Sequence, residues 1–256
     1  MGCGSALVIT DEGLLKAGML EASLAAFSAR GLRVAVFSGV QADPPESVIL
    51  AAVDAAKAAE ADCIIGFGGG SSMDAAKLAA LLARSGEALS SVYGVNQAVG
   101  PRLPLILVPT TAGTGSEVTP ISIVTTGAGE KKGVVSPLLL PDAALLDADL
   151  TLGLPAHVTA ATGIDAMVHA IEAFTSKRLK NAISDCLARD ALRLLSGSLH
   201  RACREGSDIQ ARENMLLGAS LAGMAFANAP VAAVHALAYP VGARFHVPHG
   251  VCNSLV

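Results

Sequence analysis

Tryptophan is absent from the 256 residues, aromatic residues reach only 3%, and charged residues only 16%. The net charge is −4 and no Lys/Arg cluster stands out. Nucleic-acid binding wants a basic face, so the composition argues against it. Cysteines number five (Cys3, Cys63, Cys186, Cys203, Cys252), with no CxxC pair. An odd, scattered set with no signal peptide before it points to a reduced, cytoplasmic compartment. The Met1-Gly2-Cys3 start misses the myristoylation pattern, because position 6 is Ala6 rather than Ser or Thr. Long apolar runs are scarce as well. The uncharged stretch from Asn214 to Ala243 contains Asn228, Pro230, His235 and Pro240, so a packed pair of core helices is expected there, not a membrane span.

What is present is alanine. Hydrophobic residues make up 52%, much of it Ala, which suggests extensively buried helices. The length suits one large domain or two smaller ones. Short apolar runs at Ala6–Thr10, Val34–Phe37, Cys63–Phe67 and Leu105–Val108 read as buried strands. Helical patterns at Leu14–Ala29 and from Pro44-Pro45 to about Glu60 separate the first three. This alternation predicts a parallel sheet with crossover helices, whose ligands bind beyond the C-terminal strand ends. Two more strands are expected near Ile121–Thr126 and Ala143–Leu146, with Lys131-Lys132 in a loop between them. From Thr151 onward the strand signals vanish. Helices are expected over Ala156–Thr175, Ile183–Ala202, Ile209–Phe226 and Ala232–Tyr239. The chain therefore reads as an α/β domain over 1–152 followed by an all-helical domain over 153–256.

Chemistry-bearing residues fall into four stretches. The segment Gly163–Glu172 carries Asp165 and His169 four residues apart, hence on one helical face. An ionised carboxylate in an apolar helix needs a partner. A hydrogen bond between the two residues would serve, and so would a divalent cation. His235 and His249 lie downstream, and the four together form a candidate metal set. Gly66 to Lys77 ends the third strand in a glycine-rich turn, with Gly69, Gly70, Ser71 and Asp74 at the start of the next helix. Such a turn brings backbone N–H groups close to a phosphate, and Ser71 is placed to cap the helix. A plain strand-to-helix turn is the competing reading. Pro109–Pro120 is dense in hydroxyls, with Thr110, Thr111 and Thr114 as candidate cofactor contacts. Tyr239 follows His235 by one turn, in a helix that Pro240 is expected to end. His246 is a candidate outer partner or substitute ligand. His157 and His200 have no such company and read as structural.

Four motifs, GGGSSMDAAK at Gly68–Lys77, PTTAGTGSEVT at Pro109–Thr119, GIDAMVHAIEAF at Gly163–Phe174 and HALAYPVGARFHVPHG at His235–Gly250, together resemble the iron-containing (group III) alcohol dehydrogenases. The resemblance covers nearly the whole chain. It implies a dinucleotide-binding α/β domain followed by a helical metal domain, the dehydroquinate synthase-like architecture, with the active site in the cleft between them. It implies that Asp165, His169, His235 and His249 bind a divalent metal, usually Fe2+ and sometimes Zn2+. It further implies that Gly70, Ser71, Thr110, Thr111 and Thr114 contact NAD or NADP, with Lys131 where the family often places a cofactor lysine. Homodimers are usual among full-length members.

The chain departs from the family pattern in three places. Ser38 stands where many members carry a ribose-binding carboxylate, so NADP joins NAD as a candidate. Tyr239 stands where many have His, which changes the proton-relay assignment, because a phenol titrates far above neutral pH. The chain also lacks the family's opening strand and stops just past His249. We therefore expect a fragment without the extreme N-terminus and much of the C-terminal helical domain, with exposed apolar patches. The implied activity is hydride transfer between a nicotinamide cofactor and a small alcohol, aldehyde or ketone. A non-catalytic cofactor- or metal-binding remnant is the alternative, and turnover separates the two.

Overall fold

The computed structural model describes residues 2–127, 130–230, 233–245, 247 and 249–255, without the side chains of Tyr239 and Ala243. Two compact units emerge: residues 1–109 with 120–145, and residues 110–119 with 146–256. They part after Leu145, a little earlier than the sequence suggests. The loop Thr110–Thr119, expected in the α/β half, groups with the helices instead.

The first unit is built on a five-stranded sheet. Its strands are β1 (Ser5–Asp11), β2 (Arg33–Val40), β3 (Cys63–Gly68), β5 (Leu105–Pro109) and β8 (Ala143–Ala144), in the order β2-β1-β3-β5-β8. Every pairing is parallel. β1 and β3 are buried along almost their whole length. That is why they read as unbroken apolar runs rather than alternating ones. A smaller sheet joins β4 (Gly94–Val95), β7 (Lys131–Val135) and β6 (Ile121–Thr125), with β6 and β7 antiparallel. β7 occupies the stretch expected as a loop. Only two of its five residues, Val134 and Val135, are β-branched, so its strand character comes from pairing with β6.

The expected helix from Leu14 to Ala29 is two helices, α1 (Glu12–Lys16) and α2 (Glu21–Ala29), with Gly18 in the break. α3 (Glu46–Ala58) and α4 (Gly70–Ser85) cross between strands. α4 is the hub of the core: Met73, Ala75, Ala76, Leu78, Ala79, Ala80 and Leu81 are wholly buried in the cluster that also holds Ile9, Ile49, Ile64 and Leu107.

In the second unit, α5 (Ala156–Thr175), α6 (Ala182–Arg204) and α7 (Ile209–Asn228) pack on one another, and α9 (His249–Leu255) packs on α5 and α8 (Ala233–Phe245). α8 continues through Pro240 instead of ending there. Proline removes one intrahelical hydrogen bond, a loss a packed helix can absorb. The loop 110–119 is drawn onto this unit by a backbone contact. Gly115 has a φ of +60°, and a Cβ there would stand 2.6 Å from the Gly223 Cα on α7. Side chains at either glycine would force the loop off the helix. Among the described residues, no single helix is long and apolar enough to cross a membrane.

Candidate metal centre

α5 supplies Asp165, His169 and Glu172 from one face, all buried. His235, near the start of α8, is buried too, and His249 opens α9 half-buried. Gly250 lets α9 approach, because a Cβ there would lie 2.5 Å from the Ala161 carbonyl oxygen on α5. The four candidate ligands are therefore gathered in one cluster. Ligand-type atoms of Asp165, His169 and His235 lie within 4.8 Å of one another. Asp165 Oδ1 is 3.8 Å from His235 Nε2 and 3.5 Å from His249 Nε2. The His169 ring stacks between Phe226 at 4.4 Å and His235 at 4.5 Å, centroid to centroid.

Two residues that sequence reasoning missed complete the cluster. Glu172 accepts from the Val234 N–H at 2.7 Å, and its other oxygen lies 2.5 Å from His235 Nδ1. A carboxylate on Nδ1 selects the tautomer in which Nε2, facing Asp165, is the lone-pair atom. Asn253 donates from Nδ2 to Asp165 Oδ1, and that nitrogen sits 3.2 Å from Nε2 of both His235 and His249. The amide's partial positive charge thus stands where the donors converge. Spacing was the available signal for both. Glu172 follows His169 by three positions and Asn253 follows His249 by four, so each shares a helical face with a candidate ligand.

The electrostatics fit a cation. Among the described residues, Asp165 has no Lys or Arg ion pair. Burial pushes the His169 imidazole down to about 4, with the His235 and His249 rings adding to the shift and Asp165 opposing it. The ring is neutral at pH 7, and its buried Nδ1 has no hydrogen-bond partner among the described residues. A buried carboxylate without a basic partner, beside a neutral imidazole with an unused nitrogen, forms an N/O donor set. Fe2+ and Zn2+ both accept such a set.

The iron-containing alcohol dehydrogenase model matches residues 1–148, and the C-terminal model of the Fe-containing alcohol dehydrogenase family matches residues 159–256. The chain belongs to the iron-containing alcohol dehydrogenase family. Long-chain-alcohol dehydrogenase 1 of Geobacillus thermodenitrificans is 44% identical to it, over 100% of this chain and 65% of that protein. The crystal structure of a 1,3-propanediol oxidoreductase superposes with a TM-score of 0.95 at 38% identity, covering 99% of this chain and 66% of that one. The sulfoacetaldehyde reductase of Bifidobacterium kashiwanohense, solved in complex with NAD+, gives 0.92 at 32% identity, covering 100% and 68%. The chain thus spans about two thirds of the length of the relatives it matches.

The glycine-rich turn lies at the C-terminal end of β3. Gly68 has a φ of +149°, and a Cβ there would meet Ser72 Oγ at 2.7 Å. The helix begins at Gly70, not Ser71, with Gly69 as its cap residue and no side-chain hydrogen bond to the cap. Ser71 is half-buried in the first turn. Asp74 points its carboxylate elsewhere. It accepts from the Ile123 N–H at 2.9 Å and lies 3.7 Å from the wholly buried Lys77 Nζ, which donates to the Ile121 carbonyl. Asp74 therefore anchors β6 to α4. Ser38 is half-buried near the C-terminal end of β2. Lys131 opens β7 with its ammonium 2.7 Å from Asp43, so the expected loop lysine is a strand residue in a surface ion pair. Thr110, Thr111 and Thr114 belong to the helical unit. Thr110 is buried, and Thr114 Oγ1 accepts from the Ser116 N–H. The Tyr239 side chain and His246 lie outside the described residues.

Proposed function

We propose that this chain carries the cofactor- and metal-binding parts of a metal-dependent NAD(P) alcohol dehydrogenase. The reaction class is hydride transfer between a nicotinamide cofactor and a small alcohol or carbonyl compound. The observation that carries this reading is the convergence of the buried Asp165, His169 and His235 with the half-buried His249, without a Lys or Arg partner for Asp165 among the described residues.

In this reading those four side chains hold Fe2+ or Zn2+. The ion supplies Lewis acidity toward a substrate oxygen. The chain's own residues do the rest of the positioning. Glu172 fixes the tautomer and ring orientation of His235. The packing of His169 between Phe226 and His235 keeps that ring neutral and oriented. At the other site, the uncapped N-terminus of α4 offers backbone N–H groups to a pyrophosphate, and Gly69 and Gly70 leave the approach clear of side chains. Ser71 adds a hydroxyl at the same turn. Ser38 leaves NAD and NADP both admissible, because no carboxylate at that position repels a 2′-phosphate. Support for NAD comes from the sulfoacetaldehyde reductase, solved with NAD+. The relatives are named for a long-chain alcohol, 1,3-propanediol and sulfoacetaldehyde, so the family likeness leaves the substrate open.

The test is direct. The protein is loaded with Fe2+ or Zn2+ and assayed for reduction of NAD+ and NADP+ with short alcohols, diols and long-chain alcohols. Metal-dependent turnover with one nucleotide supports the reading. Nucleotide binding without turnover of any alcohol would instead identify a non-catalytic remnant.

A further inference from the structure

A second group of metal-type side chains lies at the opposite edge of the first unit, where β1 and β3 begin. Their Sγ and carboxylate oxygen atoms, from Cys3, Asp62 and Cys63, lie within 4.8 Å of one another. Backbone hydrogen bonds build this edge. The Gly4 N–H donates to Asp62 Oδ2 at 2.7 Å, and the Ser5 N–H to Asp62 Oδ1 at 3.0 Å. The Asp62 N–H in turn donates to the Ser5 carbonyl at 2.8 Å. These bonds pin the segment carrying Cys3 beside the first residue of β3, Cys63. The glycine-rich turn sits at the far end of the same strand, so the two locations are separated by the length of β3.

We propose that Cys3, Cys63 and Asp62 form a binding site for a thiophilic divalent cation of the Zn2+ class. The chemistry of each member suits the role. Cys63 is buried and Cys3 half-buried, so the thiols are shielded yet reachable from one side. Asp62 is exposed, and its two N–H partners hold its carboxyl below the usual carboxylate range, with Arg33 adding to the effect. It is therefore an ionised oxygen donor already in place. Burial and the Cys3 neighbour push the Cys63 thiol up to about 12. A divalent cation beside the sulfur offsets that cost of ionisation. Binding one divalent ion releases the two thiol protons to solvent and gives a charge-balanced pair plus the carboxylate. Three protein ligands leave a fourth tetrahedral position for water.

Cd2+ is the probe, because thiolate-to-cadmium charge transfer absorbs in the ultraviolet and the histidine cluster contributes nothing to that band. Titration of the reduced Asp165→Ala protein, whose histidine cluster is disabled, is expected to develop the band to saturation at one equivalent. Cys3→Ser should weaken Cd2+ binding by at least about 100-fold. Asp62→Asn should weaken it by about 10-fold. Cys252→Ser and Cys186→Ser should leave the band intact. Cys63→Ser tests the same point at a buried position, and Cys3→Ser, half-exposed, keeps the test decisive where that variant fails to fold. An unchanged titration in Cys3→Ser overturns the proposal. So does peptide mapping that finds Cys3 and Cys63 joined as a disulfide in protein kept in thiol reductant.

Discussion

Each unit of the molecule buries charged or ionisable side chains, and the two do so in different ways. In the sheet unit, Lys77 is wholly buried, but it donates to the Ile121 carbonyl, and Asp74 bridges from Lys77 to the Ile123 N–H. The group ties β6 to α4. In the helical unit, Asp165, His169 and His235 gather their ligand-type atoms, His249 Nε2 lies 3.5 Å from Asp165 Oδ1, and His169 Nδ1 has no partner among the described residues. The helical unit also contains its own control. Arg212, equally buried, donates to the Gly206 and Leu154 carbonyls and to Thr159 Oγ1. Burial alone therefore does not mark a site. A buried charge that meets complementary backbone groups is architecture, whereas buried lone pairs aimed at a common point call for a cation.

Substitutions can break this contrast. The largest effect is expected at Asp165. Asp165→Ala should reduce metal-dependent turnover by more than about 100-fold, beyond the upper end for outer partners, with the circular dichroism spectrum unchanged. Next is Lys77→Ala, which should destabilise the first unit by about 3 kcal/mol in urea unfolding, since it removes the buried ammonium that faces Asp74 and donates to the Ile121 carbonyl. Its metal content should match wild type. Glu172→Gln should lower metal affinity by about 10-fold to 100-fold, measured by chelator competition, because the neutral amide holds His235 less firmly.

Acid should act on the metal-free protein through His169. Its folded value of about 4 lies below the unfolded value near 6.5, so the unfolded chain binds the extra proton first. The contribution is complete above pH 6.5 and is lost as pH falls toward 4. A urea midpoint that stays flat over this window in wild type would count against the neutral imidazole. The smallest effect is reserved for Lys131→Ala. Breaking its surface pair with Asp43 should cost less than about 1 kcal/mol. A clear loss of NAD(P) affinity in that variant would restore the cofactor role that the ion pair puts in question.

Much of the fold was legible before the structure. The strands β1, β3 and β5 are short apolar runs with turns on both sides, and the long alanine-rich stretches gave α5, α6 and α7 nearly to the residue. The four candidate ligands were legible because histidines and a carboxylate are conspicuous on otherwise apolar helices. What escaped was whatever depends on a distant partner. β7 carries Lys131, Lys132 and Gly133, and it is a strand only because β6 lies beside it. The loop 110–119 reads from its hydroxyls as a cofactor-contacting stretch of the α/β half, and the Gly115–Gly223 contact that draws it onto α7 joins positions far apart in sequence. Asp74 looked like a phosphate neighbour until its bond to the Ile123 N–H was seen. Glu172 and Asn253 passed as ordinary polar residues, because only the arrival of α8 and α9 beside α5 turns them toward the ligands.

Metal content of the purified protein, measured for wild type, Asp165→Ala and Lys77→Ala side by side, tests the central claim most directly. With Cys3→Ser also present in every protein, so that only the histidine cluster is counted, the prediction is one divalent ion per chain retained through dialysis with Asp165 intact, Lys77→Ala included, and none in folded Asp165→Ala. Equal metal with and without Asp165→Ala would contradict it.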